Sequence, residues 1–198
     1  MGVKAVLFDL DGVLMDSVDA WHRTYNGIIE HFNSKPMPKK DFRRIFGNTI
    51  EKNVRTIADI PAKEANMLAV KYFRKNIGHA RIFPETKSVL KKISRKTRIA
   101  LITNTPKKIL KLVLIHYKIA RYFNAIVTID DVKRGKPAPD MALKACKLLK
   151  IKPENAILVG DTKNDMLAGK RAGCVTVGYK INGDYKIKRL NGIFGILK

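Results

Sequence analysis

The sequence predicts an α/β fold, a parallel-sheet core with helices on both faces and an inserted helical cap. Three observations predict it. Five short runs rich in Val, Ile, Leu and Ala lie at residues 4–10, 99–103, 125–129, 156–159 and 175–179. Stretches with apolar residues at helical spacing precede all but the first, and buried strands alternating with helices are the pattern of a parallel sheet covered on both faces. Roughly ninety residues then separate the first two runs, where a single crossover helix needs far fewer.

The elements follow in chain order. Run 4–10 is apolar almost throughout and ends in Asp9-Leu10-Asp11-Gly12. In the long interval, Asp16 suits a helix cap, and Trp21, Tyr25, Ile28, Ile29 and Phe32 recur at helical spacing behind it. Residues 33–38 read as a loop. Shorter helices are expected around 42–46 and 50–57, and a longer one over 62–76 that ends near Gly78. Together these make a cap over 16–82, inserted into a core formed by 1–15 and 83–198. A helix over 85–94 returns the chain to the sheet. Pro139 suits the first turn of a helix carrying Leu143, Cys146 and Leu149. Met166, Ala168 and Ala172 run up to Gly173, a helix stop. The last stretch, 185–197, is expected to close against the sheet.

Composition narrows the class. Forty Lys and Arg against 17 Asp and Glu leave a formal charge of +23. A small anionic phosphorylated metabolite, a nucleic acid or a plain solvated basic surface would each suit that field. The basic residues are spread in short groups along the chain, not gathered in one element with interleaved aromatics, so nucleic acid is the weakest of the three. No apolar run approaches the roughly 20 residues of a membrane span. The start, MGVKAVLFDLDG, goes straight into a strand pattern instead of a leader. Cys146 and Cys174 sit among apolar neighbours and fit small core residues better than a disulfide framework. The expected setting is cytoplasmic, with no membrane partner.

The chemistry-bearing residues stand at strand ends. Asp9 and Asp11 are two apart in an extended segment, so they share a face and repel unless a cation or a shared proton intervenes. Such a pair suits covalent phosphate-ester hydrolysis, one carboxylate attacking phosphorus and the other moving the proton. Two acids capping a strand are the plainer alternative. Run 99–103 ends in Thr103 and Asn104, where a hydroxyl and amide N–H groups suit a phosphate oxygen, although both are also ordinary turn residues. Lys136 lies in Arg134-Gly135-Lys136-Pro137-Ala138-Pro139, a stiff segment, among many surface lysines. Run 156–159 leads into Gly160-Asp161-Thr162-Lys163-Asn164-Asp165, whose carboxylates suit Mg²⁺ or, equally, helix capping.

In order and spacing these four segments resemble the haloacid dehalogenase-like hydrolase superfamily. The stretch Gly160–Cys174 is similar to its phosphoglycolate phosphatase and β-phosphoglucomutase branch. The resemblance implies a Rossmann-like core with a helical cap. It implies Asp9 as the phosphorylated nucleophile and Asp11 as general acid and base. Mg²⁺ would be held by Asp9, the Asp11 carbonyl, Asp161 and Asp165, and the phosphoryl group by Thr103, the Asn104 amide and Lys136. The expected activity is hydrolysis of a small, phosphoglycolate-like phosphomonoester. A β-phosphoglucomutase-type phosphotransferase and a basic nucleic-acid-binding protein on the same fold are the alternatives. The mutases of this branch carry a cap histidine, and ungapped alignment puts Trp21 there, with His22 beside it. The cap would select the leaving group, with Trp21, His22, Arg44, Asn48 and Lys75 as candidate contacts.

Overall fold

In the computed structural model, which describes residues 2–57 and 60–197, six strands form one parallel sheet. They are β1 (Ala5–Phe8), β4 (Arg98–Thr103), β5 (Ala125–Thr128), β6 (Ala156–Gly160), β7 (Val175–Tyr179) and β8 (Tyr185–Ile187). Their order across the sheet is β5-β4-β1-β6-β7-β8. Numbered by appearance this is 3-2-1-4-5-6, a Rossmann order, in keeping with the Rossmann-like parallel core that the family resemblance implies. β1 is central, with Phe8 in register with Leu101 of β4 on one side and Val159 of β6 on the other.

Strand side chains alternate between two cores. Val6, Phe8, Ile99, Leu101, Ile157 and Val159 face one, which α5 (Thr86–Ser94) and α6 (Lys107–Tyr117) cover. Ala5, Leu7, Ala100, Ile102, Ala156 and Leu158 face the other, beneath α7 (Asp140–Leu148) and α8 (Lys163–Ala172). Cys146 and Cys174 are buried in this second core as free thiols.

The five expected strands are all present, within two residues at each end. β8 was not expected as a strand. It is three residues long with two of them exposed, so it shows no alternation and is made by pairing with β7. The closing role expected of 185–197 holds, since a 3₁₀ turn over Leu190–Gly195 then buries Leu190 and Ile193 against the first core.

The interval after β1 holds α1 (Val18–His31), α2 (Lys39–Ile45), α3 (Ile50–Ile57) and α4 (Ala62–Asn76). α1 packs on α4 around Trp21 and Phe73, whose ring centroids are 4.8 Å apart. Tyr25 and Phe42 extend the cluster at 5.4 Å. The chain enters and leaves this layer through a short antiparallel ribbon, β2 (Met15–Asp16) with β3 (Arg81–Ile82). α1 starts one residue later than the expected cap: Ser17 holds the N-cap position, and Asp16 accepts a long bond from the Val18 N–H at 3.3 Å. Among the described residues, no helix is long and apolar enough to cross a membrane.

Candidate active site

Strand order places the site. In the 3-2-1-4-5-6 arrangement the chain's progression reverses at β1, so the loops leaving β1 and β6 diverge and open a crevice at their carboxyl ends. Asp9 follows β1 and Asp161 follows β6, and the pairing of Phe8 with Val159 brings the two loops side by side. Gly12 permits the closest approach. It turns at φ 85°, and a Cβ there would stand 2.0 Å from Asp161 Oδ2.

Carboxylate oxygens of Asp9, Asp161 and Asp165 lie within 4.8 Å of one another. Lys136 inserts among them, its Nζ 2.7 Å from Asp9 Oδ1 and 2.6 Å from Asp165 Oδ1. The lysine and both partners are almost fully buried. Burial opposes the ammonium, but Asp165 and Asp9 outweigh it and hold Lys136 above the ordinary lysine range. One lysine does not neutralise the whole cluster. Burial first, against the pull of Lys136 and with Asp165, Asp161 and Asp11 adding repulsion, raises Asp9 well above the usual carboxylate range. Asp161 is raised to about 7, again by burial first and then by Asp165.

The donor set fits a hard divalent cation. Asp161 Oδ1 is buried without a hydrogen-bond partner, an uncommon state for a carboxylate oxygen. Carboxylates converging on one point beside such an atom are what Mg²⁺ or a similar ion would take as ligands. Asp165 is more constrained. Its Oδ2 accepts from the Thr162 N–H at 3.1 Å, completing a capping box at the start of α8, and its Oδ1 meets Lys136. Asp165 therefore caps α8 and also stands in the carboxylate cluster, with one oxygen in each role. The Asp11 side chain stands outside the three-carboxylate cluster.

Asp11 is held separately, beneath α1. Its Oδ1 accepts from the Ser17 hydroxyl and from Trp21 Nε1 at 3.1 Å, and its Oδ2 from the Thr105 hydroxyl at 2.7 Å. Trp21 is thus both core and site: its ring packs on Phe73 while its N–H fixes a carboxylate. Trp21→Phe keeps the packing and removes the donor, and is expected to lower kcat about tenfold while leaving the fold intact, read by steady-state kinetics beside circular dichroism. Ser17 and Thr105 escaped the sequence reading. Thr105 carried a signal, since it lies two residues beyond Thr103 at the end of a strand, as Asp11 does beyond Asp9.

Asp9, Asp11, Thr103, Asn104 and Lys136 line one cavity with Trp21, Tyr25, Asn48 and Asn53 of the helical layer. Asn104 ties the two layers: its Nδ2 donates to the Gly47 carbonyl at 2.9 Å, and its Oδ1 accepts from the Lys136 N–H at 3.0 Å. Of the proposed cap contacts, Trp21 and Asn48 reach the cavity. His22 instead hydrogen-bonds the Met37 carbonyl at 2.7 Å, Arg44 pairs with Asp41 at the surface, and Lys75 lies over the Tyr72 ring.

Fold and site together place the chain among α/β enzymes that carry a carboxylate cluster at the carboxyl edge of a parallel sheet, beneath a layer of helices. Residues 6–179 match the family model for haloacid dehalogenase-like hydrolase. A phosphoglycolate phosphatase of Neisseria meningitidis is 33% identical over 187 residues, covering 89% of this chain and 80% of its own. The pyrophosphatase PpaX of Bacillus mycoides is 28% identical, covering 100% and 98%. The crystal structure of a HAD-superfamily hydrolase of subfamily IA from Geobacter sulfurreducens superposes with a TM-score of 0.84 at 24% identity, over 99% of this chain and 100% of its own. The chain belongs to the haloacid dehalogenase-like hydrolase family, in its phosphoglycolate phosphatase-like branch.

Proposed function

We propose that this chain is a Mg²⁺-dependent phosphatase that hydrolyses a small phosphorylated metabolite of about the size of phosphoglycolate, in the cytoplasm, through a phosphate carried on Asp9. The observation that supports it best is the Asp9–Asp161–Asp165 cluster at the sheet's reversal point, in which buried Asp9 and Asp165 both pair with Lys136. In this reading a carboxylate oxygen of Asp9 attacks phosphorus, the bond from phosphorus to the leaving oxygen breaks, and Asp11 supplies that oxygen's proton. Water then attacks the phosphorus of the Asp9 acyl phosphate, giving a proton to Asp11; the bond between phosphorus and the Asp9 oxygen breaks, and phosphate leaves with the Asp9 carboxylate restored. Lys136, the Thr103 hydroxyl and the Asn104 amide would hold the phosphoryl oxygens, whose charge is spread in the transition state. Asp9, Asp161, Asp165 and the Asp11 carbonyl would hold Mg²⁺, which supplies further positive charge to those oxygens.

We assign the cap to 16–82 and the core to 1–15 and 83–198, a division supported by the β2–β3 ribbon at the joint. The cavity between them measures about 30 Å³. One water takes roughly 10–15 Å³ by that measure, so this space has room for about two waters beside the lining side chains. The direct test is phosphate release from phenyl phosphate and a metabolite panel including phosphoglycolate, with Mg²⁺ and with chelator. Release that survives complete chelation would sink the reading.

Metal binding should also show in the pH dependence of stability. Asp161 titrates near 7 when folded and near 3.8 when unfolded. Between those values the folded chain holds a proton that the unfolded chain has lost, so stability falls as pH rises from about 4 to about 7. A cation favours the ionised carboxylate. The rise in melting temperature on adding Mg²⁺ should therefore grow over the same window, as a thermal-shift series would show.

A further inference from the structure

The cap side of the cavity carries a feature that the phosphate chemistry leaves unused. Asn53, on α3, is 2% exposed and lines the cavity. Its Nδ2 donates to the Tyr25 hydroxyl at 3.0 Å, and its Oδ1 is buried with no hydrogen-bond partner. A buried acceptor left unpaired costs desolvation energy that packing alone does not return. Burial, the largest influence, raises Tyr25 above the usual phenol range, so it keeps its proton and can donate. Around this pair the cap wall is Trp21, Phe42, Phe46 and Ile50. Among the described residues, no Arg, His or second Lys lines the cavity; its one cation, Lys136, is committed to Asp9 and Asp165.

We propose that Asn53 and Tyr25 are the specificity residues for the leaving group, reading a neutral hydroxyl on a small alcohol phosphate. A hydroxyl both donates and accepts, so it satisfies Asn53 Oδ1 and the Tyr25 proton together. A carboxylate in its place would set an anion against an acceptor oxygen in an aromatic wall without a cation, and would lose its hydration there. The inference deepens the phosphatase reading and rests on it. It also separates this chain's preference from phosphoglycolate, the substrate in its relatives' name.

The test uses three phosphomonoesters of nearly equal size: 2-hydroxyethyl phosphate, ethyl phosphate and phosphoglycolate, with phenyl phosphate as control. kcat/KM is measured with Mg²⁺ for the wild-type chain, Asn53→Leu and Tyr25→Phe. Wild type should favour 2-hydroxyethyl phosphate over each of the other two by at least about tenfold. The ratio of hydroxyethyl to ethyl phosphate should fall toward one in Asn53→Leu and partway in Tyr25→Phe. Phosphoglycolate turned over as well as or better than 2-hydroxyethyl phosphate would overturn the inference, as would a ratio that survives Asn53→Leu. The wild-type comparison decides even if a variant fails to fold. Turnover of phenyl phosphate without the hydroxyl preference refutes this inference alone; no release from any of the four esters refutes the phosphatase reading and takes the inference with it.

Discussion

Asp9→Asn is expected to lower Mg²⁺-dependent phosphate release by about 10³-fold or more and to raise the melting temperature of the metal-free chain at pH 7. The loss follows from the amide, which cannot attack phosphorus. The gain in stability follows from the cluster. Asp9 is buried with two other carboxylates around one lysine, and burial and repulsion raise its pKa well above the usual range. A group raised in this way stabilises the fold below its unfolded pKa and withdraws that contribution as pH rises through the folded value. At pH 7 a neutral isostere removes the repulsion, while Lys136 keeps its 2.6 Å contact with Asp165. Activity exchanged for stability at one position is typical of a site strained for function. Phosphate release and thermal melts of both proteins check it. Activity within tenfold of wild type would exclude Asp9 as nucleophile.

Lys136→Met should cost stability as well as activity. The side chain is about the right size, but its removal leaves Asp9 and Asp165 facing one another without a cation, Asp165 fully buried. Breaking a buried pair by deleting one partner typically costs about 3–5 kcal/mol. Denaturant melts at pH 7 should show a loss of that order, and part of it should return at pH 5, where the raised acid takes up a proton more readily. Adding Asp9→Asn to Lys136→Met should recover part of the loss, because the residues interact and their effects do not add. A loss below about 1 kcal/mol would mean that water or relaxation screens the cluster far better than its burial indicates.

The two substitutions act on contacts of different legibility. That an acid stands after β1 and a lysine in a proline-flanked loop is visible locally, from an apolar run that ends abruptly and from chain breakers around a charged residue. That the two meet at 2.7 Å is not, because it depends on how β1, β4 and β6 pair and where the loop after β5 falls. The same holds in the cap. Trp21 shows its apolar spacing along α1, but its bond to Asp11 exists only because α1 docks over the end of β1. Asn53 resembles any polar residue of an amphipathic helix until Tyr25 closes on it. β8 shows no pattern because pairing with β7, not side-chain alternation, makes it a strand.

By itself, then, the sequence determined the α/β class, the helical insertion after the first strand, the family and the strand ends at which its acids cluster. Those follow from signals carried by neighbours in the chain: periodicity, breakers and spaced carboxylates. Only the tertiary structure decided that two of three clustered carboxylates share one buried lysine, that Asp161 keeps an unpaired oxygen, that Asp11 takes three donors, and that the cap wall is uncharged and includes an unpaired acceptor on Asn53. These are distances between residues remote in sequence, set by strand register and helix docking, and local pattern carries no record of either.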